Sequence, residues 1–448
     1  MLYGGIAVKI RPNLVNFIYL VGSGLIIQLI GTIYRIWLAR AIGAEGLGIM
    51  QMIYPVYRLL SGVASLGLPM VLTKWVAEYL ASHEYEKIES LKRWAFKVTI
   101  FSSLATGTLL FLCTPVLGKY VFTDPRVKEA LFIVTLAIPF SALSSIYRGY
   151  FQGHSKMAPT AVSEITEQVI EISVTLIFLS LASVLLQFST YTIPIIGLTM
   201  GEVTCWLTLR IFLKTRHAGA PETSGNTSEF NISRYKIFRY AWPLLINQIV
   251  TSVSMASEGI IIPRLLINSG LSAHAGTELF GKLTGMAEPV AYFPLIFLVP
   301  LGSVLSPQIS YAVKAKNFNR VHKKVSLYYL VSVLICIVCF FTILFVAAPL
   351  SQFFYNDSSP VNLIRLMVIG LPFTGIAILN IAIMAATGAT DKILWLSIWA
   401  MGLKTFLLIV LIPATGIKGA AWAINSTQIF IALASLREVK QIWSKRNA

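Results

Sequence analysis

The chain has 448 residues, 56% of them hydrophobic and 12% charged, with a mean hydropathy of +0.74. Two or three water-soluble domains of that length are excluded, because too few charged side chains exist to cover their surfaces. The net charge of +17, from 36 Lys and Arg against 19 Asp and Glu, has no hydrated face to sit on; it reads as basic cytoplasmic loops and attraction to anionic lipid headgroups, with no nucleic-acid partner.

Read along the chain, apolar runs long enough to cross a core of about 30 Å recur about twelve times. Met1–Asn13 carries Lys9 and Arg11 ahead of Leu14–Leu38, a run too long for a secretory leader, so it predicts an uncleaved first helix in the plasma membrane. The spans that follow in the first half are Leu47–Ala77, Phe96–Leu117, Ala130–Phe151, Ala158–Leu181 and Ile193–Phe212. The second half gives Trp242–Leu266, Phe280–Ala312, Leu327–Ala348, Leu363–Ala385, Leu394–Leu411 and Ala420–Leu436. Between the halves, Lys214–Lys236 mixes Gly219, Pro221 and Gly225 with Ser and Thr, the composition of a flexible linker. Its sequons at Asn226 and Asn231 read as accidental. The prediction is an all-α polytopic membrane protein with about twelve transmembrane helices in two six-helix bundles. Its parts are an N-terminal lobe over 1–213, a cytoplasmic linker over 214–236 and a C-terminal lobe over 237–448.

The cations test that topology. Counted from a cytoplasmic N-terminus, even-numbered loops with their adjoining span ends and both tails hold about 24 Lys and Arg, odd-numbered loops with theirs about six. Lys87, Lys92, Arg93, Lys156, Lys214, Lys314 and Lys316 lie on the even side; Arg40, Lys119, Arg126, Lys128, Arg264 and Lys418 lie on the odd side. Both termini are therefore expected in the cytoplasm. The halves also resemble each other faintly: Glu45 precedes a helix containing Pro55, and Glu278 one containing Pro289, each followed by a basic loop. Two repeats of one orientation imply a pseudo-two-fold axis along the membrane normal and a central cavity, the geometry of an alternating-access carrier.

Charges inside a bilayer need a partner, water or a route to the interface. Glu164, Glu167 and Glu171 on the fifth span share one helical face, and three like charges there cannot all ionise without cations. They are candidates to hold a coupling monovalent cation or proton, or to line the cavity; Glu164 and Glu167 would also suit the wet end of the helix. Arg35 and Arg58 are the candidate counter-cations, forks suited to phosphate oxygens. Lys282 and Glu288 on the eighth span and Glu258 on the seventh extend the polar lining, while Lys404 and Arg365 read as local pairs or snorkelling ends. Pro289, Pro294, Pro300 and Pro307 in the eighth span predict a bent element. Cys336 and Cys339 form a CxxC inside the apolar run Val331–Ala347, with no His or carboxylate beside it, and read as a packed pair. No metal-site spacing, Walker motif, GxSxG elbow or HExxH occurs, so no enzyme chemistry and no cofactor is expected.

Several segments carry a resemblance. Leu38–Gly48, the run Ser144-Ser145-Ile146-Tyr147-Arg148-Gly149-Tyr150-Phe151-Gln152-Gly153 with Met157-Ala158-Pro159 and Glu167-Gln168, Gly67-Leu68-Pro69, Phe280–Gly285 and Gly416–Ala421 lie in order along essentially the whole chain. They resemble stage V sporulation protein B-like transporters, relatives of the lipid II flippase MurJ in the multidrug/oligosaccharidyl-lipid/polysaccharide exporter superfamily. The resemblance implies a V-shaped two-lobed fold that flips polyprenyl-pyrophosphate-linked glycans for cell-wall or spore-cortex peptidoglycan. It places Arg58 close to a cavity arginine. Gln28 stands where MurJ-like first helices carry arginine, Lys282 lies about two turns from an expected eighth-helix arginine, and Glu171 replaces a residue that is often basic. Many such relatives also carry two C-terminal helices beyond the twelfth span, near which this sequence ends.

The reading is thus a monomeric lipid-linked oligosaccharide flippase of the bacterial plasma membrane, binding pyrophosphate through Arg58, Arg35, Lys282, Gln28 and Glu288. The alternatives are a cation-coupled multidrug exporter of the same superfamily, a membrane-embedded glycan polymerase or ligase, and a non-transporting scaffold for wall assembly.

Overall fold

The computed structural model describes residues 7–122, 124–182, 190–217, 234–299, 302, 305, 309 and 318–447. Every described element is helical. The first half comprises α1 (Ala7–Ser65), α2 (Leu68–Ala81), α3 (Tyr85–Val116), α4 (Val127–Gly153), α5 (Ala158–Ala182) and α6 (Ile193–His217). The second comprises α7 (Arg234–Asn268), α8 (Ala273–Phe280), a π turn (Gly281–Ala287), α9 (Glu288–Ala291), α10 (Phe318–Tyr355), α11 (Val361–Met367), α12 (Leu371–Ala386), α13 (Thr390–Thr415) and α14 (Ile417–Asn447). Among the described residues, nine helical stretches are long and apolar enough to cross a membrane. The linker residues 218–233, with Asn226 and Asn231, lie outside the described residues, as do Pro300, Pro307, Lys314 and Lys316.

Two boundaries differ from expectation, and glycine explains both. The first two spans are not separated by a loop: helix runs on through Arg40–Gly48, interrupted only at Gly43, whose φ of 73° and ψ of 176° only glycine adopts comfortably. Conversely, the expected span Leu47–Ala77 is cut in two at Leu66–Gly67. There Gly67 turns into the left-handed region (φ 67°), and Pro69, in the first turn of α2, starts a new helix. The bend expected in the eighth span is present. It takes the form of the π turn and of a turn at Tyr292–Pro294 that ends α9.

Two compact units emerge. One is Met1–Gly31, Ile53–Tyr120 and Pro125–Ser252; the other is Thr32–Met52, Val121–Asp124 and Val253–Ala448. In the first, Leu68, Leu72 and Val76 of α2 pack on Ile146, Tyr147 and Phe151 of α4, with Leu209 of α6. Gly149 and Gly153 permit this approach, since a Cβ at Gly149 would stand 2.4 Å from the Pro69 carbonyl oxygen. In the second, Leu379, Ile383 and Met384 of α12 gather Leu305, Ile309, Val325 and Val439. The outer faces are apolar as well: Phe101, Phe345 and Trp399 are 79%, 75% and 67% exposed. That pattern suits lipid as solvent. Cys336 is buried and Cys339 partly so, both as free thiols, and Cys336 Sγ occupies the space beside Gly375.

Candidate functional site

In the first unit, α5 and α6 cross closely because α6 presents glycine. A Cβ at Gly197 would meet Thr175 Oγ1 at 2.3 Å and the Glu171 carbonyl oxygen at 2.7 Å; one at Gly201 would meet the Glu167 carbonyl oxygen at 2.9 Å. The crossing brings the α5 carboxylates beside Glu202 and Cys205 of α6. Arg148 of α4 closes the group. Its Nη2 donates to Glu167 Oε2 at 2.6 Å and to Cys205 Sγ at 2.9 Å, and its Nη1 stands 3.9 Å from Glu164 Oε1. One turn separates Glu164 from Glu167, so one guanidinium serves both. The third wall is α1: the Tyr57 hydroxyl donates to Glu202 Oε1 and stands 2.9 Å from Ser141 Oγ, whose own O–H can turn toward it. Glu202 is only 6% exposed. Two buried atoms of the group, Glu202 Oε2 and Arg148 Nε, have no hydrogen-bond partner among the described residues.

The predicted residues fall into distinct settings. Glu164 and Glu167 converge, and the cation they meet is Arg148. Glu171, on the same face, backs the Gly201 approach. Arg58 is exposed, with its guanidinium 5.7 Å from the centre of the Tyr54 ring, and no described carboxylate lies within ion-pair distance of it. Gln28 is exposed on α1.

In the second unit, Glu258 of α7 already has its cation: Lys404 of α13 donates to its carboxylate and, at 3.3 Å, to the Ser254 carbonyl oxygen. Glu288, the first residue after the π turn, lies within electrostatic reach of Glu258, Lys404 and Arg35. Arg35 is exposed, again with no described carboxylate in ion-pair range. Lys282 is committed locally, its Nζ 2.6 Å from Glu278 Oε1. It also acts on Asp357 in the loop before α11. Burial pushes that carboxyl up, but Ser359, donating through N at 2.8 Å and Oγ at 2.6 Å, together with the Lys282 charge, holds it below the ordinary value.

These settings acquire a context from comparison with known proteins. Residues 14–313 match the family described as "Polysaccharide biosynthesis protein". The chain belongs to the polysaccharide biosynthesis protein family. Among relatives, it is 26% identical over 444 residues to stage V sporulation protein B of Bacillus subtilis (strain 168), covering 94% of this chain and 82% of that protein. It is 22% identical over 350 residues to the lipid II flippase MurJ of the same strain, covering 74% of this chain and 64% of MurJ. Among solved structures, an inward-facing multidrug resistance MATE family transporter of the MOP superfamily superposes with a TM-score of 0.76 at 13% identity, over 94% of this chain and 95% of that one. The protein is therefore a multi-pass membrane protein with the two-lobed fold of that superfamily.

Within this family member, the run Ser144–Gly153 has a physical reading. Ile146, Tyr147 and Phe151 build the core, Gly149 and Gly153 admit α2, and Arg148 points the other way, to the carboxylates. Sequence alone does not single out Arg148, Glu202 and Tyr57 as site residues. For Glu202 the signal was there: it is the one carboxylate in the apolar run Ile193–Phe212. Tyr57 carried none, since a tyrosine in a span is ordinary.

Proposed function

We propose that the protein translocates a polyprenyl-pyrophosphate-linked glycan across the bacterial plasma membrane by alternating access, in cell-wall or spore-cortex synthesis, with both termini cytoplasmic. The observation that carries this reading is the setting of Arg58 and Arg35. Each is an exposed guanidinium on a long apolar helix, without a carboxylate in ion-pair range among the described residues. A charge kept in such a place needs water, a route to the interface or a ligand to offset its cost. Planar guanidinium forks match pyrophosphate oxygens and replace the water that the anion must shed. Family membership and the likeness to MurJ support a lipid-linked glycan as the cargo, whose polyprenyl tail would stay in lipid throughout. Gln28 and Glu288 fit roles in orienting the sugar, while Lys282, held by Glu278, fits a supporting role. A coupling proton or monovalent cation belongs to this proposal.

A multidrug exporter would need negative charge facing its cationic cargo. The carboxylates of Glu167 and Glu258 are instead each paired, with Arg148 and Lys404, which favours an anionic cargo.

In vesicles reconstituted with the purified protein and a fluorescent polyprenyl-pyrophosphate glycan, Arg58→Ala is expected to slow translocation about ten- to hundred-fold, the loss of one charge-assisted contact. Arg58→Lys should recover part of it, keeping the charge without the fork. An unchanged rate in Arg58→Ala would overturn the assignment of pyrophosphate to this residue.

A further inference from the structure

The group around Arg148 is unbalanced. One guanidinium faces the carboxylates of Glu164, Glu167 and Glu202, and ionising all of them would leave two uncompensated negative charges among helices that cross lipid. Two of the three are part-exposed, the Glu164 and Glu167 side chains at 35% and 25%. Glu202 is buried, at 6% exposure. It also lacks direct help from Arg148, whose Nη2 is spent on Glu167 and Cys205. The groups facing it are Tyr57 from α1, Ser141 and Arg148 from α4, and Glu167 from α5, with Cys205 one turn along its own helix. Of these, Tyr57 and Ser141 hydrogen-bond to it, Tyr57 at Oε1, while Oε2 is buried with no partner among the described residues. A carboxylate this deeply buried, with one oxygen bare among the described residues, is the member of the trio that most gains from a proton.

We infer that Glu202 is the proton-binding residue of this protein, loaded at Oε2 and held in place at Oε1 by the Tyr57 hydroxyl. Loading adds H⁺ to the carboxylate and makes a neutral carboxylic acid; unloading returns the proton to water, with Glu167 and Glu164 forming the outward order of increasing exposure. Arg148 stays charged throughout and stays with Glu167, so one proton changes the charge of the group by one unit. Tyr57 is a positioning residue here: it orients the carboxylate and gives up no proton. The coupling of this event to transport rests on the flippase reading above; the binding of the proton does not.

The test separates the two. Infrared difference spectra of the full-length protein in lipid nanodiscs, recorded across a pH series, should show a carboxylic-acid carbonyl band that grows with acidity. Glu202→Gln should abolish that band, and Tyr57→Phe should keep it but shift its frequency, because the hydrogen bond to Oε1 is gone. The second variant also guards against a folding failure in the first, and a merely structural Tyr57 would leave the frequency unmoved. In parallel, an imposed pH gradient should accelerate translocation of the fluorescent glycan lipid by wild-type protein several-fold and leave Glu202→Gln unaccelerated. Absence of a titrating band, or its persistence in Glu202→Gln, overturns the inference. A band that behaves as stated, with wild-type protein that moves no glycan lipid under any gradient, overturns the flippase reading and leaves proton binding standing. A pH gradient that accelerates Glu202→Gln as much as wild type overturns the coupling.

Discussion

Replacing Arg148 with methionine is expected to destabilise the folded protein by about 3 kcal/mol, the lower end of what breaking a buried ion pair costs. Methionine keeps most of the apolar stem, so packing in α4 is largely preserved and the loss reports on charge. The change strands Glu167, whose ion-pair partner among the described residues is Arg148 at 2.6 Å, and removes a donor from Cys205. The lower end is appropriate because the pair is only partly buried, the Arg148 and Glu167 side chains retaining 26% and 25% exposure. The double variant Arg148→Met with Glu167→Gln should recover most of the loss, since a neutral amide needs no counter-cation. Unfolding free energies in mixed micelles, compared across the two single variants and the double, measure the coupling. A single-variant cost below about 1 kcal/mol, or no recovery in the double, would show that the ion pair does not tie α4 to α5.

A larger effect is expected from one methyl group. A Cβ at Gly281 would stand 1.8 Å from the Ala44 carbonyl oxygen, 2.7 Å from the Gly48 nitrogen and 2.8 Å from the Ala44 carbonyl carbon. All three are backbone atoms, so no rotamer change can clear the space. The start of the π turn and the second part of α1 must separate, or the helix must deform. Gly281→Ala should cost about 3 kcal/mol or more, at or beyond the upper end for overpacking. Gly402 in α13 supplies the control, since a Cβ there meets nothing within 4 Å. Gly402→Ala should stabilise by about 0.5–1 kcal/mol through helix entropy alone. Opposite signs for the same substitution would tie the effect to the approach at Ala44; equal effects would dismiss it.

What could be read without coordinates follows from the physics of each signal. Apolar length is a strong code because a bilayer tolerates little else, and it delivered the all-α class and most spans. It fails where a glycine alters backbone direction without altering hydropathy. At Leu66–Gly67 the turn lies inside an apolar run, and at Gly43 the flanking Arg40 and Glu45 mark a break that the chain passes as kinked helix and not as a loop. Charge in an apolar run is also a strong code, and it found Glu164, Glu167, Glu258 and Lys404. Pairing is not written locally, however. The partner of Glu167 lies 19 residues away and that of Glu258 lies 146 away, so position in an apolar run points to the arginines on α1 over Arg148. Arg148 hid within a run rich in Gly and Tyr, where its neighbours serve packing. Tyr57 could not be found at all, since only the meeting of α1 with α6 gives its hydroxyl a task.

The π turn Gly281–Ala287 carries one residue more than an α-helical path of equal rise would need. The wider winding absorbs that surplus and so sets the phase of all that follows. The same seven residues wound as ordinary α-helix would carry Glu288 about 100° further around the axis, onto a different face. The direction in which this carboxylate looks is thus fixed by how the turn upstream is wound. Such a defect can also migrate along a helix one hydrogen bond at a time, as a dislocation glides through a crystal. It re-indexes the residues it passes while the rod itself stays whole.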